Sequence, residues 1–410
     1  MITLNKPITQ LSTKVSRPEI ELLLCCTRTH IDPETAERIK TLLRQDIDWA
    51  YLIQIAAHHK TIPLLYQSLK TTSGEAIPKT VLTQLQNHYH TNASRNLFLS
   101  HELLNILKLF EAHKIPAIPF KGLVLAISIY GNLAMRQFSD LDILVRQEDI
   151  FKAKELLITH KYQLDVDYGW QQTFVHSQKP EIVVDLHGEL TPLSYFPFKL
   201  PDFETLWQGG RSLTFKGESI MNFSSDDLLI ILAVQVARGV NEGKESLAQI
   251  CDLAELLRIQ QTLDWEKLLQ EVNSLELQRP FFISLLIVKT LLNTPLPDRV
   301  KQALQQQIQI DPTILIYTVR MQKLLFAKVK TPLFIQLFFH DLMIGGPLSR
   351  MPVRVYLVWQ FLSFITRQII IDSNQADREF FPLPSGLSFL YYLVRPIRLV
   401  SRYITNSTYR

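Results

Sequence analysis

Cysteine is scarce in this chain of 410 residues, which contains only Cys25, Cys26 and Cys251. Three cysteines, two of them adjacent, provide neither a disulfide framework nor the paired spacing of a zinc site. This pattern is typical of a protein kept in a reducing compartment. We therefore expect a cytoplasmic protein without structural disulfides.

Long hydrophobic runs are missing as well. The longest, residues 355–366, has twelve residues, whereas a membrane-spanning helix requires ~18. The first thirty residues lack the apolar block and cleavage site of a secretory signal peptide. Glycine is also rare, at 13 residues, which favours helices over a loop-rich all-β design. We predict that the chain has no transmembrane segment.

Net charge is small, at +4, which by itself gives no reason to expect nucleic-acid binding. The basic residues are concentrated near the C-terminus, where residues 330–410 contain nine Lys or Arg and four Asp or Glu. Arg395, Arg398 and Arg402 would share one face of a helix there. This stripe can contact an anionic membrane surface or an RNA backbone, or it can face only solvent.

Hydrophobic periodicity divides the chain into four regions. Residues 1–112 and 223–330 carry helical spacing, residues 113–222 mix short strands with helices, and residues 331–410 form a basic, apolar, helical segment. Within residues 113–200 the predicted order is strand, helix, strand, helix, strand, strand, with the last two strands joined near Lys179. The predicted fold class is α+β, with a small mixed-sheet core flanked by helical regions. Asp48, Ser94 and Ser224 are predicted helix N-caps.

Two aspartates, Asp140 and Asp142, stand at the start of the apolar strand "LDILV". On a strand, residues i and i+2 point to the same face, so the two carboxylates would lie a few ångströms apart. Their repulsion indicates a cation between them, and Mg²⁺ prefers such oxygen ligands. Asp185, near the end of a later apolar strand, is the predicted third carboxylate. The alternative for an Asp-x-Asp pair is a solvated turn or a helix cap.

Further polar residues cluster around this pattern. Lys121 and Gly122 stand between a strand and a helix, where a backbone turn and an ammonium group suit a phosphate. For Arg136 three roles are left open: neutralising a phosphate, holding the acidic loop before Asp140, or lying on the surface. His187 shares the face of Asp185 on a strand, and its role is left open between a metal ligand, a proton shuttle, a residue that supports the ligands and a purely structural histidine. Asp252 lies in an otherwise apolar helix, which favours a buried partner that supports the site.

The stretch "FKGLVLAISIYGNLAMRQFSDLDILV", followed by a helix and "VVDLHGEL", resembles the polymerase-beta-like nucleotidyltransferase superfamily. More closely, it is similar to a bacterial family of uncharacterised nucleotidyltransferases. The resemblance implies that Asp140, Asp142 and Asp185 bind catalytic Mg²⁺, or Mn²⁺ in its place, with Asp185 also acting as general base. It implies that Lys121, Gly122 and Arg136 bind the nucleotide. Lys121-Gly122 stands where the wider superfamily has glycine-glycine or glycine-serine, so the hydroxyl that contacts phosphate there is missing.

The expected activity is transfer of an NMP from an NTP such as ATP to an acceptor, with release of pyrophosphate. The acceptor is left open between a small molecule, an RNA and a protein, and the weak overall charge argues against a large RNA footprint. The alternative is a non-catalytic descendant of the same fold that binds a nucleotide or a partner. A third hypothesis is weak contact with a membrane surface through the basic C-terminus.

Overall fold

A computed structural model of the chain describes residues 17–191, 200–241, 246–260 and 263–326. The chain divides into two compact units, Met1–Lys330 and Thr331–Arg410. All described residues belong to the first unit, so the C-terminal arginine stripe lies outside them. Within the described ranges, no helix is long and apolar enough to cross a membrane. The boundaries of the four predicted regions stay predictions.

Helices occupy the described residues before the sheet. Asp48 caps one of them, because its Oδ1 accepts the backbone N–H of Tyr51 at 2.9 Å, which confirms that predicted N-cap. The predicted cap at Ser94 is wrong, since Ser94 lies inside a helix that already begins at Lys79. These helices are α1 (Pro18–Cys26), α2 (Pro33–Leu42), α3 (Trp49–His58), α4 (Ile62–Ser73) and α5 (Lys79–Ala112).

A mixed sheet of five strands follows, which confirms the α+β fold class with flanking helices. Its strand order is β1-β2-β5-β4-β3. Strands β2 and β5 are parallel, and the other neighbours are antiparallel. The elements of this core are β1 (Ala117–Phe120), α6 (Gly122–Ser128), β2 (Leu141–Val145), α7 (Ile150–Thr159), β3 (Tyr162–Asp167), β4 (Gln171–His176) and β5 (Lys179–His187).

Strand β3 is an element of residues 113–200 that the sequence pattern missed. It is an edge strand, and four of its six residues are exposed. Because it buries so little, "YQLDVD" lacks the apolar alternation that marks a half-buried strand. The predicted pair of strands after it is confirmed as the β4–β5 hairpin, which turns just before Lys179.

The two faces of the sheet differ in chemistry, because successive residues of a strand point to opposite sides. Leu141, Ile143 and Val145 of β2 belong to the hydrophobic core, together with residues of α5, α6 and α7. Asp142, between them in sequence, faces the other side. The helices therefore cover one face, and the opposite face remains for polar side chains.

Further helices and a hairpin follow the sheet. Ser224 caps the first long helix, since its Oγ accepts the backbone N–H of Asp227 at 3.1 Å, as predicted. The elements are α8 (Phe203–Gly209), β6 (Arg211–Phe215), β7 (Glu218–Asn222), α9 (Ser225–Asn241), α10 (Leu247–Ile259), α11 (Trp265–Ser274), α12 (Gln278–Leu292), α13 (Asp298–Ile310) and α14 (Thr313–Leu325).

A buried ion pair joins the segment before β2 to α10. Asp252 is 1% exposed and accepts hydrogen bonds from Nε and Nη2 of Arg136, each at 2.9 Å. The Tyr130 hydroxyl donates to the same carboxylate at 2.7 Å. Burial alone would lower the pKa of Arg136, but Asp252 more than offsets this and raises it. Arg136 is therefore charged in the folded protein and is paired with Asp252 through two nitrogens.

Two asparagines of α5 hold the same segment from another side. Nδ2 of Asn92 donates to the carbonyl of Ala134 at 2.9 Å. Nδ2 of Asn96 donates to the carbonyls of Leu133 and Arg136, both at 2.7 Å. Residues 131–140 are thus fixed to α5 and α10 at once, and this segment leads directly into the aspartates.

We expect Asp252→Ala to lower the free energy of unfolding by about 3–5 kcal/mol, because it leaves the buried guanidinium of Arg136 without its partner. Urea unfolding of the full chain, followed by tryptophan fluorescence, measures the change. Asp298→Ala is the control, since Asp298 forms an ion pair with Lys301 in which both side chains are largely exposed. A loss for Asp252→Ala no larger than for this control would contradict a stabilising role of the buried pair.

Candidate functional site

The parallel pairing of β2 with β5 places two aspartates side by side. Asp142 is the register partner of Asp185, and Leu144 is that of His187. Directly paired residues of neighbouring strands share a face of the sheet. Among the described residues, ligand atoms of Asp142, Asp185 and His187 all lie within 4.8 Å of one another. The three form a compact group of the type that holds a metal ion.

Asp142 is the most constrained member of this group. Its side chain is 3% exposed, and its Oδ1 lies 2.7 Å from Nζ of Lys121 and 3.1 Å from Nε2 of His187. Burial alone would raise the pKa of this carboxyl, but Lys121 and His187 more than offset the effect and hold it well below its usual range. Asp142 is therefore ionised at neutral pH.

Asp140 has the opposite electrostatic environment. It precedes the first residue of β2, so the same-face geometry predicted for a strand does not extend to it. Burial raises its pKa, as do Asp142 and Asp185, whereas Lys121 and Lys60 act against the rise. It is not a member of the ligand group described above. Its role as a metal ligand stays a prediction.

Asp185 is oriented by a residue that sequence reasoning did not find. Oγ1 of Thr173, on β4, donates to Oδ1 of Asp185 at 2.6 Å. The two residues are register partners in the antiparallel β4–β5 pair. A lone threonine in a strand is ordinary, and only this cross-strand register, which the sequence pattern does not fix, indicates its role.

Lys121 and Gly122 form a sharp turn between β1 and α6, as predicted. Lys121 has φ 64° and ψ −138°, a conformation that L-residues other than glycine rarely adopt. Gly122 follows with φ 28°. The turn directs the Lys121 ammonium back to Asp142 and over the ring of Phe120, 4.9 Å from its centroid. This strained backbone at the site is typical of a functional constraint.

His187 contacts two aromatic rings. The ring centroid of Phe120 is 4.9 Å from that of His187. The ring centroid of Trp170 is 5.7 Å from that of His187, and the two ring planes are tilted relative to each other. Within the described residues, its buried Nδ1 has no hydrogen-bond partner. Of the roles left open for His187, its position within the group fits that of a metal ligand.

Arg136 and Asp252, the remaining predicted residues, pair with each other at the edge of the site. The charge of Asp140 also raises the pKa of Arg136, so the pair is electrostatically connected to the aspartates. Because Asp252 engages the guanidinium through two nitrogens, the described contacts of Arg136 are structural. Its role in binding a nucleotide stays a prediction.

We expect Asp140→Asn and Asp142→Asn to change stability in opposite directions. Because the pKa of Asp140 is raised in the folded protein, its ionised carboxylate destabilises the fold above about pH 4, the pKa of an aspartate in the unfolded chain. The asparagine variant should therefore be more stable than the wild type at pH 7.5. The lowered pKa of Asp142 means that its charge stabilises the fold above the same pH, so its asparagine variant is less stable.

Urea unfolding in the presence of a chelator, at pH 7.5 and at decreasing pH, measures both effects. The gain from Asp140→Asn should fade as the pH falls toward about 4, where the wild-type carboxyl becomes protonated in the unfolded chain as well. Shifts of the same sign at pH 7.5 would contradict the electrostatic assignment of the two carboxyls.

The comparisons with known proteins agree with this geometry. The model of a family described as uncharacterised nucleotidyltransferases matches residues 45–293, which are more than half of the chain and include every residue of the site. No curated protein and no solved structure matches the chain. The family assignment therefore depends on the family model, and by that match the chain belongs to the uncharacterised nucleotidyltransferases.

Proposed function

We propose that the protein transfers an NMP from an NTP to an acceptor hydroxyl and releases pyrophosphate. The observation that carries the proposal is the register pairing of Asp142 with Asp185, with His187 beside them, in a chain of a nucleotidyltransferase family. In the reaction, the acceptor oxygen forms a bond to the α-phosphorus as the bond to the bridging oxygen of pyrophosphate breaks.

The donor atoms fit a divalent ion. Both described contacts of the Asp142 carboxylate fall on Oδ1, so Oδ2 retains lone pairs for a metal. The carboxylate oxygens of Asp142 and Asp185 suit both Mg²⁺ and Mn²⁺. A bound divalent ion would polarise the α-phosphoryl group and balance the charge of the departing pyrophosphate. Mg²⁺ is the proposed ion, with Mn²⁺ as the alternative.

Lys121 is the proposed triphosphate contact. Its side chain is 29% exposed, so the ammonium can reach a ligand while its stem stays fixed by the strained turn. When a nucleotide binds, this ammonium exchanges its contact with Asp142 for one with a phosphate oxygen. Lys60, which follows α3 and whose charge acts on Asp140, adds positive potential at the same side of the site.

Asp185 is the proposed acceptor of the hydroxyl proton. Thr173 occupies its Oδ1, which fixes the plane of the carboxylate and leaves Oδ2 for the incoming acceptor. Most of the rate enhancement then comes from positioning and from charge neutralisation, as in other phosphoryl transfers. The three free cysteines suit the reducing cytoplasm, where we propose that the protein works.

We expect Asp142→Asn and Asp185→Asn each to reduce label transfer from α-³²P-labelled NTPs by about a hundredfold or more, because each removes charge stabilisation at the reacting phosphorus. Each of the four NTPs is incubated with Mg²⁺ or Mn²⁺ and cell extract, and both labelled product and pyrophosphate are measured. Glu181→Gln, an exposed change at the far end of β5, is the control.

Metal-dependent thermal stabilisation by an NTP provides a second readout of this prediction. The wild type should show it, and Asp142→Asn should not. If wild-type protein binds an NTP but no acceptor is labelled and no pyrophosphate forms, the proposal of catalysis fails in favour of a nucleotide-binding descendant of the fold.

We expect Thr173→Val to lower kcat by about tenfold with little change in the KM for the NTP, because it frees the proton-accepting carboxylate without removing it. Steady-state pyrophosphate release measures the two constants. Thr173→Ser is the matched control, since it keeps the hydroxyl and should retain most of the wild-type kcat. An equal loss in both variants would contradict a role for this hydrogen bond.

A further inference from the structure

The two ends of the site differ in charge. At the start of β2, Lys121 and Lys60 both act on Asp140, and the paired Arg136 lies within electrostatic range of it. Positive charge is thus gathered where β2 begins. The other end, beyond the last residues of β2 and β5, is formed by different residues.

A cavity of about 440 Å³ opens at that second end. Leu144 lines it, two residues after Asp142 on the same face of β2 and directly opposite His187. Gly188, the residue after His187, also lines it, and Leu190 and Phe203 add apolar surface. The cavity therefore begins immediately beside the ligand group, and its volume is that of a pocket for a small molecule.

The described residues that line the cavity carry mostly negative charge. Arg146 is the one cation among them, and it is already paired with Glu204 at 2.5 Å and lies over the ring of Phe203. Glu148 and Glu189 are exposed and make no hydrogen bond with a described residue. The described carboxylates of the lining are Glu148, Glu189, Asp202 and Glu204.

We infer that this cavity binds the acceptor, and that the acceptor is a small hydroxyl-bearing molecule with a protonated amine. The inference rests on the proposed function. The ammonium group faces Glu148 and Glu189, while the hydroxyl is directed to the reacting phosphorus beside Asp185. The hydroxyl is the nucleophile, because a protonated amine has no lone pair to donate. The proton of the hydroxyl passes to Asp185 as its oxygen bonds to the α-phosphorus, and pyrophosphate leaves.

Electrostatics excludes the other substrates from this cavity. A triphosphate would be repelled by the carboxylates here and attracted by the lysines at the opposite end. An RNA strand carries the same unfavourable charge, and it is too large for a pocket of this volume. The charge distribution thus separates the nucleotide from the acceptor on the two sides of the metal-binding group.

Three sugars of one scaffold test the inference, because they differ mainly in charge: glucosamine is cationic, N-acetylglucosamine is neutral and glucuronate is anionic. Saturation-transfer NMR titrations with the full chain give a Kd for each. We expect glucosamine to bind at least about fivefold more tightly than the other two at low salt. Glu148→Gln combined with Glu189→Gln should remove most of this preference, whereas Glu181→Gln, which replaces one exposed glutamate at the far end of β5, should leave it intact.

Equal binding of the three sugars, including no binding by any of them, would overturn the inference, as would a preference for glucuronate. A glucosamine preference that survives the double substitution would overturn the assignment to this cavity. These failures are distinguishable from failure of the proposed function, which is measured separately by metal-dependent NTP stabilisation and by pyrophosphate release. Asp142→Asn should lose those signals and still prefer glucosamine.

Discussion

The site depends on one backbone constraint, the parallel pairing of β2 with β5 in the register that sets Asp142 opposite Asp185. A shift of this register by one residue would turn one of the two carboxylates to the core face, where Ile143 and Leu186 now pack. Hydrophobic burial on the helix-covered face thus fixes the register, and the register fixes the polar group on the opposite face. The apolar residues of "LDILV" and "VVDLH" are as necessary to the site as the acids between them.

Two like charges so close together are tolerated because each has its own compensation. Asp142 is neutralised by Lys121 and contacts His187, and Asp185 is held by the hydroxyl of Thr173. Asp140 has no such direct partner in the described contacts, and its raised pKa records the cost. The segment before β2 bears this cost because it is fastened to α5 and α10 by hydrogen bonds that do not involve the site. Hydrogen bonds at the edge of the site thus stabilise the fold and offset the destabilising charge of Asp140 at its centre.

The sequence pattern predicted the parts of this arrangement that local physics determines. The short apolar run around Asp142 predicted a strand, the lysine-glycine pair predicted a turn, and Asp48 and Ser224 predicted helix starts. It missed strand β3, whose exposed residues lack an apolar period, and misassigned Ser94, because capping residues also occur inside long helices.

The sequence pattern could not predict the features of the site that depend on long-range contacts. Thr173 is recognisable only from the register of β4 with β5. The pairing of Arg136 with Asp252 joins residues that are 116 positions apart. Both residues of that pair were singled out as unusual polar positions, yet only the fold reveals that they bind each other. The acidic lining of the cavity likewise comes from three separate segments of the chain.

The parallel β2–β5 pair also bears on when the site forms during folding. Thr173 and Asp185 are 12 positions apart within the β4–β5 hairpin, whereas Asp142 and His187 are 45 positions apart and are joined across the α7 crossover. Because local contacts close shorter loops, we expect the first pair to form before the second. A partly folded chain consequently lacks a complete cation-binding group. A divalent ion bound by this group would stabilise only the finished fold, by mass action, because the unfinished forms lack the complete set of donor atoms.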